Sequence, residues 1–477
     1  MRAFGLPSAL VVAALLSTAI GTFAAPLSQR SPQANSTSAL QEREGSPTNS
    51  MTYGSDESPK QAHFGRNSVV RGVNLGAWFV LESWQNPSLF LTQDIRSMQL
   101  NDEWSWMNAK GSKAQEDLVE HYRTFMNQSD FEAIQRAGLS TVRIPVPFWT
   151  FVPTVKPEPY LASRQRKALR DALTWSKQYG LDVVLDLHTV PGSVNGLDNG
   201  GRLGEQAFAD DPNNAKRALN ALSVMTDMFV NNASYGGVVK AIQVANEPKI
   251  NERLSWSVLQ DYQAAALKTI RAAIKPSAPV VPTVLFSDAF QPWSKYDALL
   301  PSDAYPTSQI AVDHHQYFVR AWDSRVPKDD DELIDYVCAI GPRIAAAQKK
   351  RAVIVGEFSL GRETRCVDYH TCQDVKMSQD VSTLNSAENN KFMRRFFEAQ
   401  AASYEQGGGW IMWSWKTESA AAWSYSAARE QGWIPDDVSD PAQWLYRPAD
   451  ESQRKALPDG QCITTQPSRS PRFATQS

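Results

Sequence analysis

Two glutamates stand where apolar runs stop. Ala241-Ile242-Gln243-Val244-Ala245-Asn246-Glu247-Pro248 starts as a strand pattern and ends in an amide, a carboxylate and a proline. Val and Ile favour a buried strand, and a proline, lacking an N–H, cannot extend its ladder. The pattern recurs in Ala352-Val353-Ile354-Val355-Gly356-Glu357-Phe358. A lone charge at the end of a buried strand is costly. One such glutamate is readily a solvated loop residue; two with the same approach ask for a shared task. Paired carboxylates perform glycoside hydrolysis, one as proton donor and the other as nucleophile or base.

Asn246 can donate to the sugar's 2-hydroxyl, a contact that strengthens as positive charge develops on the ring. Glu247 is therefore read as general acid and then base, and Glu357 as nucleophile. The nucleophile must be ionised, with Arg143 and the phenol of Tyr317 as candidate partners. The acid must hold a proton, so burial and the neighbouring carboxylate are expected to raise the pKa of Glu247. His188 and His315 follow apolar strands and can bind hydroxyls or orient the acid, whereas one of the adjacent His314 and His315 should point away. Trp415 is expected to floor the sugar site, its apolar face stacking on a pyranose. No His-x-x-x-His spacing supports a metal at His188, His314 and His315, and neither metal nor cofactor is expected.

These residues need a scaffold that brings distant strand ends together. Apolar strand candidates are Val69–Leu75, Thr141–Ile144, Val183–Leu187, Ile242–Val244, Thr283–Phe286, Ile310–Asp313, Val353–Val355 and Trp410–Trp413. Amphipathic stretches separate them, including Arg164–Tyr179, Asn213–Phe229, Leu254–Ile274, Glu332–Gln348 and Asn389–Glu405, with a weak last helix over Asp440–Tyr446. Eight strands alternating with helices predict an α/β fold, a single (β/α)₈ barrel domain over 67–462. A doubly wound open sheet is the runner-up, but no glycine-rich phosphate turn follows the first strand. Polar residues at nearly every strand end agree with the barrel, whose functional groups gather at that face.

The 477 residues carry a net charge of −3 with no basic stripe, which argues against a nucleic-acid partner. Arg2 and the apolar run Leu10–Ile20, with small residues near Ala24 and Ala25, read as a secretory signal over 1–25. The run is shorter than the roughly 20 residues a membrane span requires. Residues 26–66 are rich in Ser, Pro and Gln and read as a disordered leader, and 463–477 as a polar tail. A secreted or cell-wall monomer without a membrane anchor is expected. Asn35, Asn127 and Asn232 head glycosylation triplets. Four cysteines in a secreted chain suggest two disulfides in one of three pairings. Cys366 and Cys372 are close in sequence, which makes a local bridge the simplest choice and leaves Cys338 with Cys462.

The assembled segments resemble glycoside hydrolase family 5, in particular its fungal exo-1,3-β-glucanase group. They include Arg71-Gly72-Val73-Asn74-Leu75-Gly76-Ala77-Trp78, Glu82-Ser83-Trp84, Thr141-Val142-Arg143-Ile144-Pro145, Asp186-Leu187-His188, Asp198-Asn199, Asn246-Glu247-Pro248, Asp313-His314-His315-Gln316-Tyr317, Gly356-Glu357-Phe358 and Trp413-Ser414-Trp415. The match runs from about Val69 to Cys462 in the family's order, leaving the leader outside. It implies a retaining double displacement on β-glucan without cofactor, with Glu247 as acid/base and Glu357 as nucleophile. It further implies Arg143, His188, Asn246, His315 and Tyr317 around them, Glu82 and Asn199 on the sugar, Trp415 as platform, and the same two disulfides. Three positions depart: Leu197 and Arg320 stand where entrance phenylalanines are usual, and Trp84 where a tyrosine is commoner. Another β-glucosidic linkage, such as β-1,6-glucan or a glycolipid glucoside, is therefore the nearest alternative, and a non-catalytic wall-glucan-binding protein a more distant one.

Overall fold

The computed structural model describes residues 60–98, 100–297, 307–320, 322–362, 386–448, 452–453 and 456–470. Eight strands close into a parallel barrel: β1 (Val70–Asn74), β2 (Thr141–Pro147), β3 (Asp182–Thr189), β4 (Val239–Gln243), β5 (Thr283–Ser287), β6 (Ile310–His315), β7 (Ala352–Glu357) and β8 (Gly409–Met412). Each pairs with its neighbour in chain order, and β8 closes on β1. The (β/α)₈ expectation is met.

The inward face follows the period of two that strand geometry imposes. It reads Val184, Asp186, His188 on β3, Ala241, Gln243 on β4, Leu285, Ser287 on β5 and Ala311, Asp313, His315 on β6. Val184, Ala241, Leu285, Ala311 and Ile354 form one apolar cluster with Phe64 at the amino-terminal end. The next layer toward the carboxyl end turns polar. A separate apolar layer joins the outer strand faces to the helices.

Two local features set the site. A register shift between His314 and His315 pairs His315 with Glu357 and brings the two side by side. Gly356 is required there, because a Cβ would lie 1.9 Å from Asp313 Oδ1.

Several boundaries differ from those expected. β4 stops at Gln243, so Val244–Glu247 form a loop, and Glu247 takes a left-handed φ of 45°. The stretch Glu332–Gln348 is two helices, Asp330–Cys338 and Gly341–Gln348, with Pro342 in the first turn of the second, where its missing N–H costs least. Over Asp440–Tyr446 there is only a 3₁₀ turn, Pro441–Gln443. Order begins before residue 67: Lys60–Gln61 pair with Val280–Val281, and Phe64 is buried. It also continues past 462, where Ile463 is buried and the Thr464 and Ser468 amides donate to the Tyr446 and Leu445 carbonyls. The Cys338–Cys462 disulfide ties this segment to the helix Asp330–Cys338. Asn35, Cys366 and Cys372 lie outside the described residues.

The helix Glu103–Lys110 fastens two loops of the carboxyl face. Asp102 caps it and accepts from the Leu203 amide, while the Trp104 amide donates to Gly201. Glu103, fully buried, accepts from the Leu81 amide at 3.0 Å. Burial raises the Glu103 pKa from 4.5 to about 8. The folded state then keeps a proton that the unfolded state releases, so stability falls as pH rises from about 4.5 toward 8. At pH 7 the cost is on the order of 3 kcal/mol. Glu103→Gln, which cannot ionise, should therefore gain Tm relative to wild type as pH rises from 5 to 8. A Tm difference that stays constant with pH would refute this.

Candidate active site

Arg143 is the hub. Fully buried on β2, it donates through Nη1 to Glu357 Oε1 and Asn74 Oδ1, both at 2.8 Å. Nη2 reaches Asn246 Oδ1 at 2.8 Å and Asp186 Oδ2 at 3.0 Å, and Nε donates to Gln243 Oε1 at 2.9 Å. Burial alone would lower its pKa, but Asp186, Glu357 and Asp313 more than offset that, and the guanidinium stays charged.

Glu357 accepts from Arg143 on one oxygen and from the Tyr317 hydroxyl, at 2.8 Å, on the other. Burial raises its proton affinity, His315 and Arg143 pull it back, and Glu247 raises it again; the net is upward. Glu247 accepts from Asn199 Nδ2 at 3.1 Å and meets His315 Nδ1 at 2.8 Å. Burial pushes its pKa up, but the His315 hydrogen bond and charge pull it lower still, to a net downward shift. The expected rise at Glu247 is thus reversed, because the neighbour touching it is a cation as well as a carboxylate.

His315 also meets Asp313 Oδ2 through Nε2 at 2.9 Å, and its Nδ1 lies 3.3 Å from Glu357 Oε2. Burial disfavours its charge, yet Glu357, Asp313 and Glu247 together raise its pKa well above the ordinary histidine value. Each ring nitrogen of His315 therefore faces a carboxylate, and the ring sits between the two glutamates.

One ligand-capable atom from each of Glu247, His315 and Glu357 lies within 4.8 Å of the others. By geometry alone this trio, the one such group among the described residues, could hold a metal ion. Both ring nitrogens of His315 are already engaged by carboxylates, however, and Arg143 already pairs with Glu357. A pair of carboxylates facing one cavity is the arrangement glycoside hydrolysis uses.

Around this centre lies a cavity of about 280 Å³ lined by Glu82, Asn199, Tyr317 and the indoles of Trp84, Trp413 and Trp423. Glu82 accepts from Trp84 Nε1 at 3.0 Å and Gln85 Nε2 at 2.7 Å. Burial, aided by the charges of Asp198 and Glu357, raises its pKa well above the carboxylate range. An acidic floor beneath an aromatic wall suits a neutral polyol with apolar C–H faces.

A comparison with protein families matches residues 100–419 to Cellulase (glycosyl hydrolase family 5). The chain belongs to glycosyl hydrolase family 5. It is 32% identical over 399 residues to the probable glucan 1,3-beta-glucosidase A of Aspergillus fumigatus, covering 79% of this chain and 90% of that protein. To glucan 1,3-beta-glucosidase 1 of Schizosaccharomyces pombe it is 33% identical over 379 residues, covering 78% and 89%. A solved rutinosidase from Aspergillus niger superposes with a TM-score of 0.61 at 20% identity, covering 79% of this chain and all of that one, a likeness of fold.

Within this family 5 barrel the residues singled out in the sequence converge, with one exception. Glu82, Arg143, Asn199, Asn246, Glu247, His315, Tyr317 and Glu357 meet as described. His188 joins them, with Nδ1 on Asp186 at 2.6 Å, Nε2 facing the Asn246 amide at 3.3 Å, and its ring stacked on Trp413. His314 points away, to Asp288 and Gln316. Trp415 is the exception: its N–H donates to Asp130 and its ring stacks on Tyr425, outside the cavity. β8 ends at Met412, so strand alternation does not carry as far as 415, and of these two indoles Trp413 is the one that lines the cavity. Gln243 was legible as an inward residue two positions after Ala241. Trp423 carried no local signal.

Proposed function

We propose that this family 5 protein is a secreted exo-acting β-1,3-glucanase that releases glucose from chain ends by retaining double displacement. The observation that carries the chemistry is the Glu247–His315–Glu357 cluster, whose two carboxylates line one sugar-sized cavity. The names of the relatives support the 1,3-linkage.

In the first step a Glu357 oxygen attacks the anomeric carbon as the glycosidic C–O bond breaks. Glu247 delivers a proton to the departing oxygen, and His315, 2.8 Å from its Oε1, orients it. Arg143 and Tyr317 donate to the two oxygens of Glu357, favouring its carboxylate against the upward pull of burial, and orient it. Once Glu357 is esterified its charge is spent, and Glu247, now a carboxylate, takes a proton from water. That water attacks the anomeric carbon, displacing Glu357 and restoring the original configuration. Asn246, pinned by Arg143 and His188, offers its second N–H to the 2-hydroxyl. Trp413 is the stacking platform.

The test is a time course on linear β-1,3-glucan followed by NMR. Glucose alone, appearing first as the β-anomer, is expected. A ladder of oligosaccharides would refute exo action, and an initial α-anomer would refute a nucleophilic Glu357. The altered entrance favours a second reading, a β-1,6-linked or glycolipid glucoside. Turnover of those substrates with no action on 1,3-linked oligomers would establish it.

A further inference from the structure

Two loops bring carboxyls to the same wall of the cavity. Glu82 comes from the loop after β1, and Asp198 with Asn199 from the loop after β3. Both carboxyls are buried, and after burial itself the charge of Asp198 does most to raise the proton affinity of Glu82. Like charges in a dry wall push their loops apart. The second loop must nonetheless stay in place, because the Asn199 amide donates to Glu247 Oε2 at 3.1 Å.

Three consecutive residues at the start of the helix Glu103–Lys110 oppose that push. Asp102 is buried and uses its two oxygens differently: Oδ1 caps the helix by accepting from the Ser105 amide at 2.7 Å, and Oδ2 accepts from the Leu203 amide at 2.6 Å. The Trp104 amide donates to the Gly201 carbonyl at 3.0 Å, and the Arg202 guanidinium lies 3.9 Å from the centre of the Trp104 ring. Residues 201, 202 and 203 are thus each held by 102 or 104. Between them, Glu103 faces the other loop and accepts from the Leu81 amide, next to Glu82.

A shift at Leu203 is passed on to Asn199. The Gly204 amide donates to the Gly196 carbonyl at 2.9 Å, closing the segment 196–204 on itself, and the Gly201 amide donates to Asp198 at 2.8 Å. The turn Asp198–Gly200, with Asn199 at its centre, lies inside this closed segment. Asn195 Nδ2 orients the Asn199 side chain from the same loop, at 3.0 Å.

We propose that Asp102 is a positioning residue for the acid/base: by holding Leu203 it sets the loop that aims Asn199 at Glu247. Asp102 itself lies outside the cavity lining. The proposal rests on the glycosidase reading above and adds a residue that acts on Glu247 without touching it.

Asp102→Asn and Asp102→Ser test it. Both keep an oxygen that caps a helix, and neither keeps a second oxygen for the Leu203 amide. Each is assayed on laminaribiose, whose departing sugar needs the Glu247 proton, and on 2,4-dinitrophenyl β-glucoside, whose leaving group needs none. With Glu247 misaimed, kcat/KM on laminaribiose should fall about tenfold while that on the aryl glucoside stays within about threefold of wild type. Partial unfolding lowers both alike and leaves their ratio alone, so an unchanged ratio in both variants overturns the proposal. Wild-type turnover of the aryl glucoside but not of laminaribiose would instead overturn the 1,3-linkage. The same ratio, taken with whichever 1,4- or 1,6-linked disaccharide the wild type cleaves, would then decide the role of Asp102.

Discussion

Glu357→Gln is expected to cut glucan hydrolysis by at least ~10⁴-fold, because an amide cannot form the glycosyl ester on which the double displacement depends. The fold should survive, since Arg143 keeps Asp186 as a counter-charge and Asn74, Gln243 and Asn246 as acceptors. Glu247→Gln should be about as slow on glucan, but for a different reason, and the difference separates the roles. With an aryl glucoside whose leaving group needs no proton, Glu247→Gln should still form the intermediate and then stall. A covalently glucosylated protein would accumulate, detectable by mass spectrometry, and added azide should release it as β-glucosyl azide. Glu357→Gln should show neither behaviour. The opposite result would exchange the two roles, and near-normal glucan turnover by either variant would remove both.

Arg143→Met is expected to cost on the order of 3–5 kcal/mol of stability, read as a lower denaturant midpoint, together with a large fall in kcat. Removing one member of a buried ion pair leaves its partners charged and dry. Here Asp186 and Glu357 would both be stranded, with Asn74, Gln243 and Asn246 left short of a donor. Arg143→Lys should recover part of the stability and less of the activity. An ammonium supplies charge but not a planar fork able to meet five acceptors at once. A lysine variant equal to wild type in both measures would contradict the hub role of Arg143.

How much of this was readable in the chain depends on the range of the interaction. Eight apolar strands with polar ends, and the two glutamates after β4 and within β7, were local patterns, because strand alternation and burial act over a few residues. The inward placement of Asp186, Gln243 and Asp313 follows from the same period of two. Trp415 failed for a related reason: it lies past the end of β8, and beyond the ladder no period says which way a side chain turns. The helix expected over Glu332–Gln348 failed at Pro342, where amphipathic spacing continued but the hydrogen-bond ladder did not.

The direction of the Glu247 pKa shows the other limit. From sequence, a buried glutamate near a second carboxylate should hold a proton. In the folded chain a register shift between β6 and β7, where Gly356 leaves room for Asp313, sets His315 against both glutamates, and its hydrogen bond and charge draw the Glu247 pKa down. Likewise, Leu197 and Arg320 left the leaving side of the site open in the sequence, and the fold brings Phe290 and Trp322 to the cavity beside Leu197. The sequence by itself determined the barrel, the family and the pair of carboxylates, since these follow from short-range pattern. Tertiary structure decided the direction of the Glu247 pKa shift and which rings line the cavity, because charge and packing depend on distances between strands that the chain does not encode locally.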